Sequence, residues 1–166
     1  YQIIGASAGS YRIRSDVWEL QQLMSEAFGW KCRMVMGLES DIEDLETAGA
    51  ARLNLIIRNE ALETGNILKD RFGTPFVYSA PYGYQGTIDW LKQISAVIGE
   101  PINEELLARI EEKQADLMPM GGGPMASMRR KPAQATIQAD YDTLLGLAGA
   151  MRELDIEPTA LICSHS

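Results

Sequence analysis

The sequence predicts an α/β fold in which a mostly parallel sheet lies between two layers of helices. Short apolar or β-branched runs alternate along the chain with segments in which apolar residues recur every three or four positions. The near-continuous apolar run at residues 53–57 is typical of a central strand covered on both faces. With 166 residues, the chain can form one domain with its own core and part of another.

The individual elements follow from the same pattern. Strands are predicted at residues 2–6, 31–36, 53–57 and 76–78, and helices at about 16–28, 41–48, 60–72, 87–98 and 103–118. Asp16 with Glu19, and Ser40 with Glu43, have the spacing of capping boxes. Asn59 is positioned to cap the third helix.

Composition divides the chain into three parts. Residues 1–118 are predicted to form the first domain, and the Gly- and Pro-rich residues 119–133 to form a linker. Residues 134–166 contain one more strand, helix and strand, which is too little for a domain of its own. We interpret them as the βαβ beginning of a following domain, and the chain as an internal piece of a longer protein.

Charge and cysteine content exclude several classes of function. A net charge of −8 repels phosphate backbones, so nucleic acid is not an expected partner. No apolar stretch is long enough for a membrane span, and no signal peptide pattern is present, so no membrane association is expected. The 2 cysteines, Cys32 and Cys163, form no C-x-x-C pair, which favours a reducing, cytoplasmic location. The sequence assigns no role to them or to His165.

The loop after the first predicted strand is the first candidate site. Residues 5–10 lie between a strand and a helix, where doubly wound folds bind ligands, but lack the spacing of a nucleotide-binding glycine motif. The loop is either a turn that needs small residues such as Gly9 or a surface that faces a larger ligand or a partner. Arg12 and Arg14 are suited to clamp a carboxylate, or are solvated loop arginines.

A second candidate site follows the third predicted strand. Arg58, Asn59 and Glu60 come directly after the apolar run, at the strand's carboxyl end. Arg58 interrupts the run where a side chain would point into a crevice. The alternative interpretation is an ion pair between Arg58 and Glu60, with Asn59 as a helix cap.

Six segments, in their order along the chain, resemble the nitrogenase component 1 family: the first five resemble its middle domain, and residues 138–142 resemble the start of its third domain. The family includes nitrogenase, the dark-operative protochlorophyllide reductase and the nickel-tetrapyrrole reductive cyclase. Residues 51–56 are similar to its A-x-L-N-L-V strand, and residues 71–76 to its F-G-I-P-Y stretch. The other similar segments are residues 3–5, 14–23, 82–87 and 138–142.

The resemblance implies a subunit of an oxidoreductase built from three Rossmann-like domains. It also implies a homologous component 1 subunit as partner, in a hetero-oligomer, and an ATP-dependent iron–sulfur reductase protein that delivers electrons one at a time. The family's cluster cysteines lie mainly in the first domain, so no cofactor is expected in this chain and an iron–sulfur cluster is expected in the full-length protein. In molybdenum nitrogenase a cysteine after the L-N-L-V strand binds the cofactor metal, and the residue here is Arg58. An arginine suits a tetrapyrrole carboxylate or a structural ion pair, so dinitrogen reduction is disfavoured.

These observations lead to one functional hypothesis and one rival. The chain is predicted to line the substrate or cofactor cleft of a nitrogenase-like reductase, through Arg58, Asn59, Glu60 and the loop containing Gly9, Arg12 and Arg14. Catalysis by the chain alone is not expected. The rival is a non-catalytic module of the same fold, either a cofactor-assembly scaffold or a small-ligand binding domain.

Overall fold

The fold is α/β, as the sequence predicts, and a computed structural model describes it for residues 1–10, 12–38, 40–117 and 133–164. The described strands are β1 Gln2–Ile4, β2 Met34–Met36, β3 Asn54–Ile56, β4 Phe76–Tyr78, β5 Ala133–Ala139 and β6 Ile156–Cys163. The described α-helices are α1 Ile13–Phe28, α2 Ile42–Glu46, α3 Leu62–Phe72, α4 Gly83–Ile98, α5 Glu104–Leu117 and α6 Tyr141–Glu153. The predicted linker lies outside the described residues, except residue 133, which begins β5.

The described residues fall into two compact units. The first contains those of Tyr1–Ser79 and Leu91–Asn103, and the second those of Ala80–Trp90 and Glu104–Ser166. Of the three positions at which the chain passes from one unit to the other, one, between Trp90 and Leu91, lies within α4.

The first unit is built on a four-stranded parallel sheet in the order β2-β1-β3-β4. Ile3 of β1 and Leu55 of β3 lie side by side and are fully buried, as are Ile4 and Ile56 one position along each strand. Because successive side chains of a strand point to opposite faces, both faces of the central strands are covered. The sheet is therefore the middle layer that the apolar run at residues 53–57 predicts.

Helix α3 packs closely against one face of this sheet. Ile4 and Ile56 form a core cluster with four further buried residues, Met34, Ala48, Ala61 and Leu68. A Cβ atom at Gly65 of α3 would overlap the side chain of Ile56. Only glycine at this position lets α3 approach the strand so closely, and this approach fixes where the chain between β3 and α3 lies.

The second unit contains the predicted strand, helix and strand. β5 and β6 pair in parallel, with a bulge at which the register shifts between Ala135 and Thr136. The hydroxyl of Thr159 donates a hydrogen bond of 3.1 Å to the Ala135 carbonyl oxygen at this bulge. Ile137 of β5 packs against Leu144 and Ala148 of α6 to form a small core.

The helix starts differ from the predicted capping pattern in the first two helices. The Asp16 N–H donates to the Arg12 carbonyl oxygen at 3.1 Å, so Asp16 already lies inside α1 and the predicted Asp16–Glu19 box is wrong. Arg12, in the left-handed region at φ 58°, precedes the helix instead. In α2 a capping box is present one residue later than predicted, between Asp41 and Asp44.

The predicted cap at Asn59 is also wrong. Asn59 begins a short 3₁₀ turn, Asn59–Ala61, in which the Ala61 N–H donates to the Arg58 carbonyl oxygen at 3.1 Å. Ala61 then precedes α3 without a side-chain cap. The extra turn separates the end of β3 from α3 and places residues 58–60 at the rim of the sheet.

Helix α4 receives its cap from a distant side chain in the second unit. The carboxylate of Glu153, the last residue of α6, accepts hydrogen bonds from the backbone N–H groups of Tyr84 at 2.9 Å and Gln85 at 3.1 Å. Two otherwise unpaired donors of the first turn are thereby satisfied by a carboxylate, which also interacts favourably with the positive end of the helix.

Replacing Glu153 should therefore destabilise the protein. We expect Glu153→Ala to lower the free energy of unfolding by about 1–2 kcal/mol, in the range measured for lost helix caps. Glu153→Gln, which keeps one acceptor oxygen, should recover part of that loss. Urea unfolding followed by circular dichroism measures both values. Glu112→Ala, at an exposed position of α5, is the matched control, and an equal loss there would contradict the assigned role.

Candidate functional site

A cavity of about 530 Å³ opens where the carboxyl ends of β1, β2 and β3 meet. The chain moves from β1 to β2 on one side and returns to β3 on the other side of β1, so strand order reverses there. Ligands of doubly wound sheets bind at such switch points. The cavity is lined by Ile4, Gly5, Ala6, Ser7, Ser10, Met36, Gly37, Arg58, Glu60, Ala61 and Thr64.

Two glycines with positive φ bring the three strand ends together. Gly5, at φ 98°, ends β1, and a Cβ atom there would lie 3.0 Å from the Arg58 Cβ and 3.1 Å from the Arg58 backbone nitrogen. Gly37, at φ 93°, follows β2, and its Cβ would lie 2.7 Å from the Ala6 carbonyl oxygen. Only glycine meets both the backbone angle and the spacing at these positions.

Charged groups of the cavity come from the segment after β3. Nη2 of Arg58 lies 3.5 Å from Oε1 of Glu60, and their side chains are 21% and 67% exposed. The ion pair that was one of the two interpretations of residues 58–60 is therefore present. Both residues also line the cavity, so the ion pair and a position at the cavity do not exclude each other.

The remaining polar groups of the cavity are hydroxyls. Ser7 and Ser10 belong to the loop after β1, where the Ser10 N–H donates to the Ser7 carbonyl oxygen at 2.9 Å and forms a turn. Thr64 lies in the first turn of α3. Apolar side chains, Ile4 and Met36 among them, form the rest of the wall, which suits an organic ligand with an apolar body and a few polar groups.

The predicted site residues are divided between this cavity and its surroundings. Arg58 and Glu60 line it, whereas Asn59, Gly9, Arg12 and Arg14 are not among its described lining residues. Gly9, Arg12 and Arg14 are exposed on the neighbouring loop and the start of α1.

Five lining residues were not among the sequence candidates: Ile4, Met36, Gly37, Ala61 and Thr64. Gly37 directly follows a predicted strand, and a glycine there is a recognisable signal for a close approach of two chain segments. Thr64 carries only a weak signal, a hydroxyl residue in the first turn of the helix after β3.

The donor groups of the cavity do not fit a metallocofactor anchored at position 58. A guanidinium has N–H donors and no lone pair for a metal ion. The described lining residues include no cysteine and no histidine. Within the described ranges, no group of three or more His, Cys, Asp or Glu side chains is placed to hold a metal ion.

The two cysteines lie outside the cavity lining. Cys163 is exposed and Cys32 is partly buried. Burial raises the pKa of the Cys32 thiol above its ordinary value, although hydrogen bonding with the Gln21 side chain and with the backbone at Met34 opposes this. His165 lies outside the described residues.

The raised pKa of Cys32 predicts a pH-dependent contribution to stability. The native state holds the thiol proton more tightly than the unfolded state, so this contribution is present below the unfolded pKa, about 8.5, and is lost as pH rises above it. We expect the difference in unfolding free energy between the parent protein and Cys32→Ala to narrow from about pH 7.5 to about pH 9.5. Urea unfolding at both pH values measures it, and a constant or widening difference would contradict the assignment.

The parallel sheet and its cavity define a Rossmann-like α/β protein. The chain belongs to the nitrogenase component 1 type oxidoreductase family, which matches residues 2–166. Within the described part of the chain, no helix combines the length and apolar character needed to cross a membrane.

Relatives of known role are similar over part of the chain. The nitrogenase iron-molybdenum cofactor biosynthesis protein NifE of Klebsiella pneumoniae is 30% identical over 116 residues, which are 66% of this chain and 24% of that protein. A light-independent protochlorophyllide reductase subunit of Synechococcus sp. (strain WH7803) is 33% identical over 98 residues, 58% of this chain and 18% of that protein.

Solved structures support the fold. A chain of nitrogenase Cp1 at pH 5 superposes on this chain with a TM-score of 0.67 and 16% sequence identity. The superposition includes 96% of this chain and 31% of the nitrogenase chain. The chain thus spans a quarter or less of the length of the two relatives described above and about a third of that nitrogenase chain.

Proposed function

We propose that the chain forms one wall of the substrate or cofactor cleft in a subunit of a nitrogenase-like oxidoreductase. The observation that carries this proposal is the cavity of about 530 Å³ at the switch point of the sheet, with Arg58 in its wall. Family membership supports the oxidoreductase class. A cavity of this size is within the range of small-molecule and cofactor sites.

Each type of lining residue has a part in this proposal. The Arg58 guanidinium pairs with an anionic group of the ligand and orients it, because its planar fork matches a carboxylate. The hydroxyls of Ser7, Ser10 and Thr64 hydrogen-bond to polar atoms of the ligand, and the apolar wall excludes water from its body. Asn59, Gly9, Arg12 and Arg14 would contact parts of the ligand, or of a partner subunit, that extend beyond the cavity.

The redox chemistry belongs to the larger assembly. In this proposal the chain is the middle domain and the first βαβ portion of the third domain of a cytoplasmic component 1 subunit. A homologous subunit completes the cleft, and an ATP-dependent iron–sulfur reductase supplies electrons through a cluster held outside this chain. The similarity to one component of a light-independent protochlorophyllide reductase supports a ligand of the tetrapyrrole class with a carboxylate.

Metal analysis tests the redox part of the proposal. Iron and acid-labile sulfide would be measured per subunit on the anaerobically purified full-length protein together with its partner. We expect at least about four irons per pair of subunits, as one four-iron cluster requires. The absence of iron after reconstitution with iron and sulfide would overturn electron transfer through a bound cluster.

A second candidate function is cofactor assembly without catalysis. The similarity to NifE, a cofactor biosynthesis protein, favours it. A scaffold of this kind would transfer its bound group to another protein and would not turn over substrate with a reductase. Single-turnover assays with the reductase protein and dithionite therefore distinguish the two functions, because only the oxidoreductase gives a reduced product.

Blocking the cavity tests the ligand-binding part directly. We expect Ser7→Trp, which places a large ring at the cavity, to weaken binding of the fluorescent anion pyrenebutyrate about tenfold or more, a loss of at least about 1.4 kcal/mol. Ala8→Trp adds the same ring at an exposed neighbouring residue outside the cavity lining and is the matched control. Fluorescence titration measures both affinities, and equal affinities would contradict the cavity as the binding site.

A further inference from the structure

We propose that Glu60 is an internal competitor for Arg58, which an entering ligand carboxylate must displace. The inference rests on the proposed function of the cavity as a ligand site. It assigns Glu60 a role in ligand specificity: its carboxylate pairs with the guanidinium in the absence of ligand, so an anion binds Arg58 only by replacing that pair.

The geometry of the pair supports exchange of one carboxylate for another. The distance of 3.5 Å between Nη2 of Arg58 and Oε1 of Glu60 is longer than an optimal charge-assisted hydrogen bond. The Arg58 side chain is held in the wall with 21% exposure, whereas the Glu60 side chain is 67% exposed. The acid is therefore the partner that can turn into solvent, while the guanidinium stays in place.

The weak energy of the Arg58–Glu60 ion pair also favours exchange. Ion pairs with a well-exposed partner contribute little to stability, because solvent screens them and ordering the side chains costs entropy. Ile4 and Met36 line the cavity together with Arg58. A ligand carboxylate beside these apolar side chains would be less solvated than the exposed Glu60. When a ligand carboxylate takes the place of Glu60, an ion pair that solvent screens strongly is replaced by one that solvent screens less.

The chemistry of the cavity defines the ligand class that this competition selects. The ligand needs an apolar body to bind the wall and one carboxylate to displace Glu60. Glu60 remains near the cavity after the ligand carboxylate has displaced it from Arg58. Its negative charge therefore repels a second negative group of the ligand close to that carboxylate. The cavity should therefore prefer an amphipathic monocarboxylate to a small dianion such as inorganic phosphate.

Fluorescence titration with pyrenebutyrate tests the competition, with the neutral pyrenebutanol as the matched probe. Glu60→Gln removes the competing charge and keeps the size of the side chain. We expect this variant to bind pyrenebutyrate about threefold to fivefold more tightly than the parent protein, as expected for removing a weak ion pair. Pyrenebutanol should bind both proteins equally, because it has no charge to compete.

Two further variants separate the competition from other effects. Glu63→Gln removes the same charge from an exposed position of α3 outside the cavity lining, and it should leave pyrenebutyrate binding unchanged. Arg58→Gln should weaken pyrenebutyrate binding about tenfold, with little effect on pyrenebutanol. Circular dichroism and thermal unfolding of each variant show whether the fold is retained.

The outcomes distinguish this inference from the proposed function. If Arg58→Gln weakens binding and Glu60→Gln leaves it unchanged or weakens it, the cavity binds anions but Glu60 does not compete, and only the inference is overturned. If pyrenebutyrate does not bind, or binds all variants equally, both are overturned. An equal gain in Glu60→Gln and Glu63→Gln would assign the effect to net charge and overturn the inference alone.

Discussion

Gly37→Ala should lower the free energy of unfolding by about 3 kcal/mol, one of the two largest effects that we expect from a single substitution. Two penalties combine at this position. A residue with a side chain is strained at φ 93°, and its Cβ would lie 2.7 Å from the Ala6 carbonyl oxygen, which belongs to the backbone and cannot move aside cheaply. Urea unfolding measures the loss.

Gly73→Ala separates the two penalties. Gly73 has φ 73°, but nothing lies within 4 Å of a Cβ atom built there. Its substitution should therefore cost only the conformational part, about 1 kcal/mol. Gly37→Ala should also weaken pyrenebutyrate binding, because Gly37 and Ala6 both line the cavity. Equal losses of stability at the two glycines would contradict the close approach of the strand ends.

Leu55→Ala should be similarly destabilising, by about 3–4 kcal/mol. Leu55 is fully buried in β3, between its register partners Ile3 of β1 and Val77 of β4. Truncation removes apolar contacts and leaves a void that closely packed neighbours on both sides cannot fill. The unfolding free energy from urea titration measures this effect.

The matched control for Leu55 is Leu45→Ala. Leu45 lies in α2 and is 45% exposed, so its truncation should change stability by less than about 1 kcal/mol. Comparable losses for the two leucines would contradict the burial of β3 as one of the two central strands of the sheet.

Much of the fold could be predicted because parallel sheets need strands that are apolar on both faces. Ile3, Leu55 and Ile56 are fully buried in strands at the predicted places, and β4 has the predicted bounds, residues 76–78. The order of the strands could not be predicted, because adjacency depends on which crossovers pack together and not on the composition of any one strand.

Helix starts were less predictable, for a local reason. A capping pattern reports only that a side chain is able to accept a hydrogen bond from the backbone. In α1 the helix begins earlier, after Arg12 in a left-handed conformation, so Asp16 has no exposed N–H group to cap. After β3 an extra 3₁₀ turn moves the start of α3 past Asn59.

The candidate site was predictable in part. Arg58 and Glu60 follow an apolar strand, and a charged residue at that point signals the carboxyl end of a parallel sheet. Gly37 and Thr64 line the same cavity only because β2 and α3 converge with β1, which is a property of strand order. A single sequence does not show which of its loops will meet.

The position of β1 between β2 and β3 has a consequence for the order of folding. β1 precedes both of its partner strands and lies far from them in sequence. The Gln2 side chain of β1, for example, donates to the Asn54 side chain of β3 across a separation of 52 residues. Each pairing requires closure of a long loop before any ladder hydrogen bond forms, which slows folding. During synthesis β1 therefore leaves the ribosome well before either partner, and its apolar residues are exposed to chaperones and to aggregation for that interval.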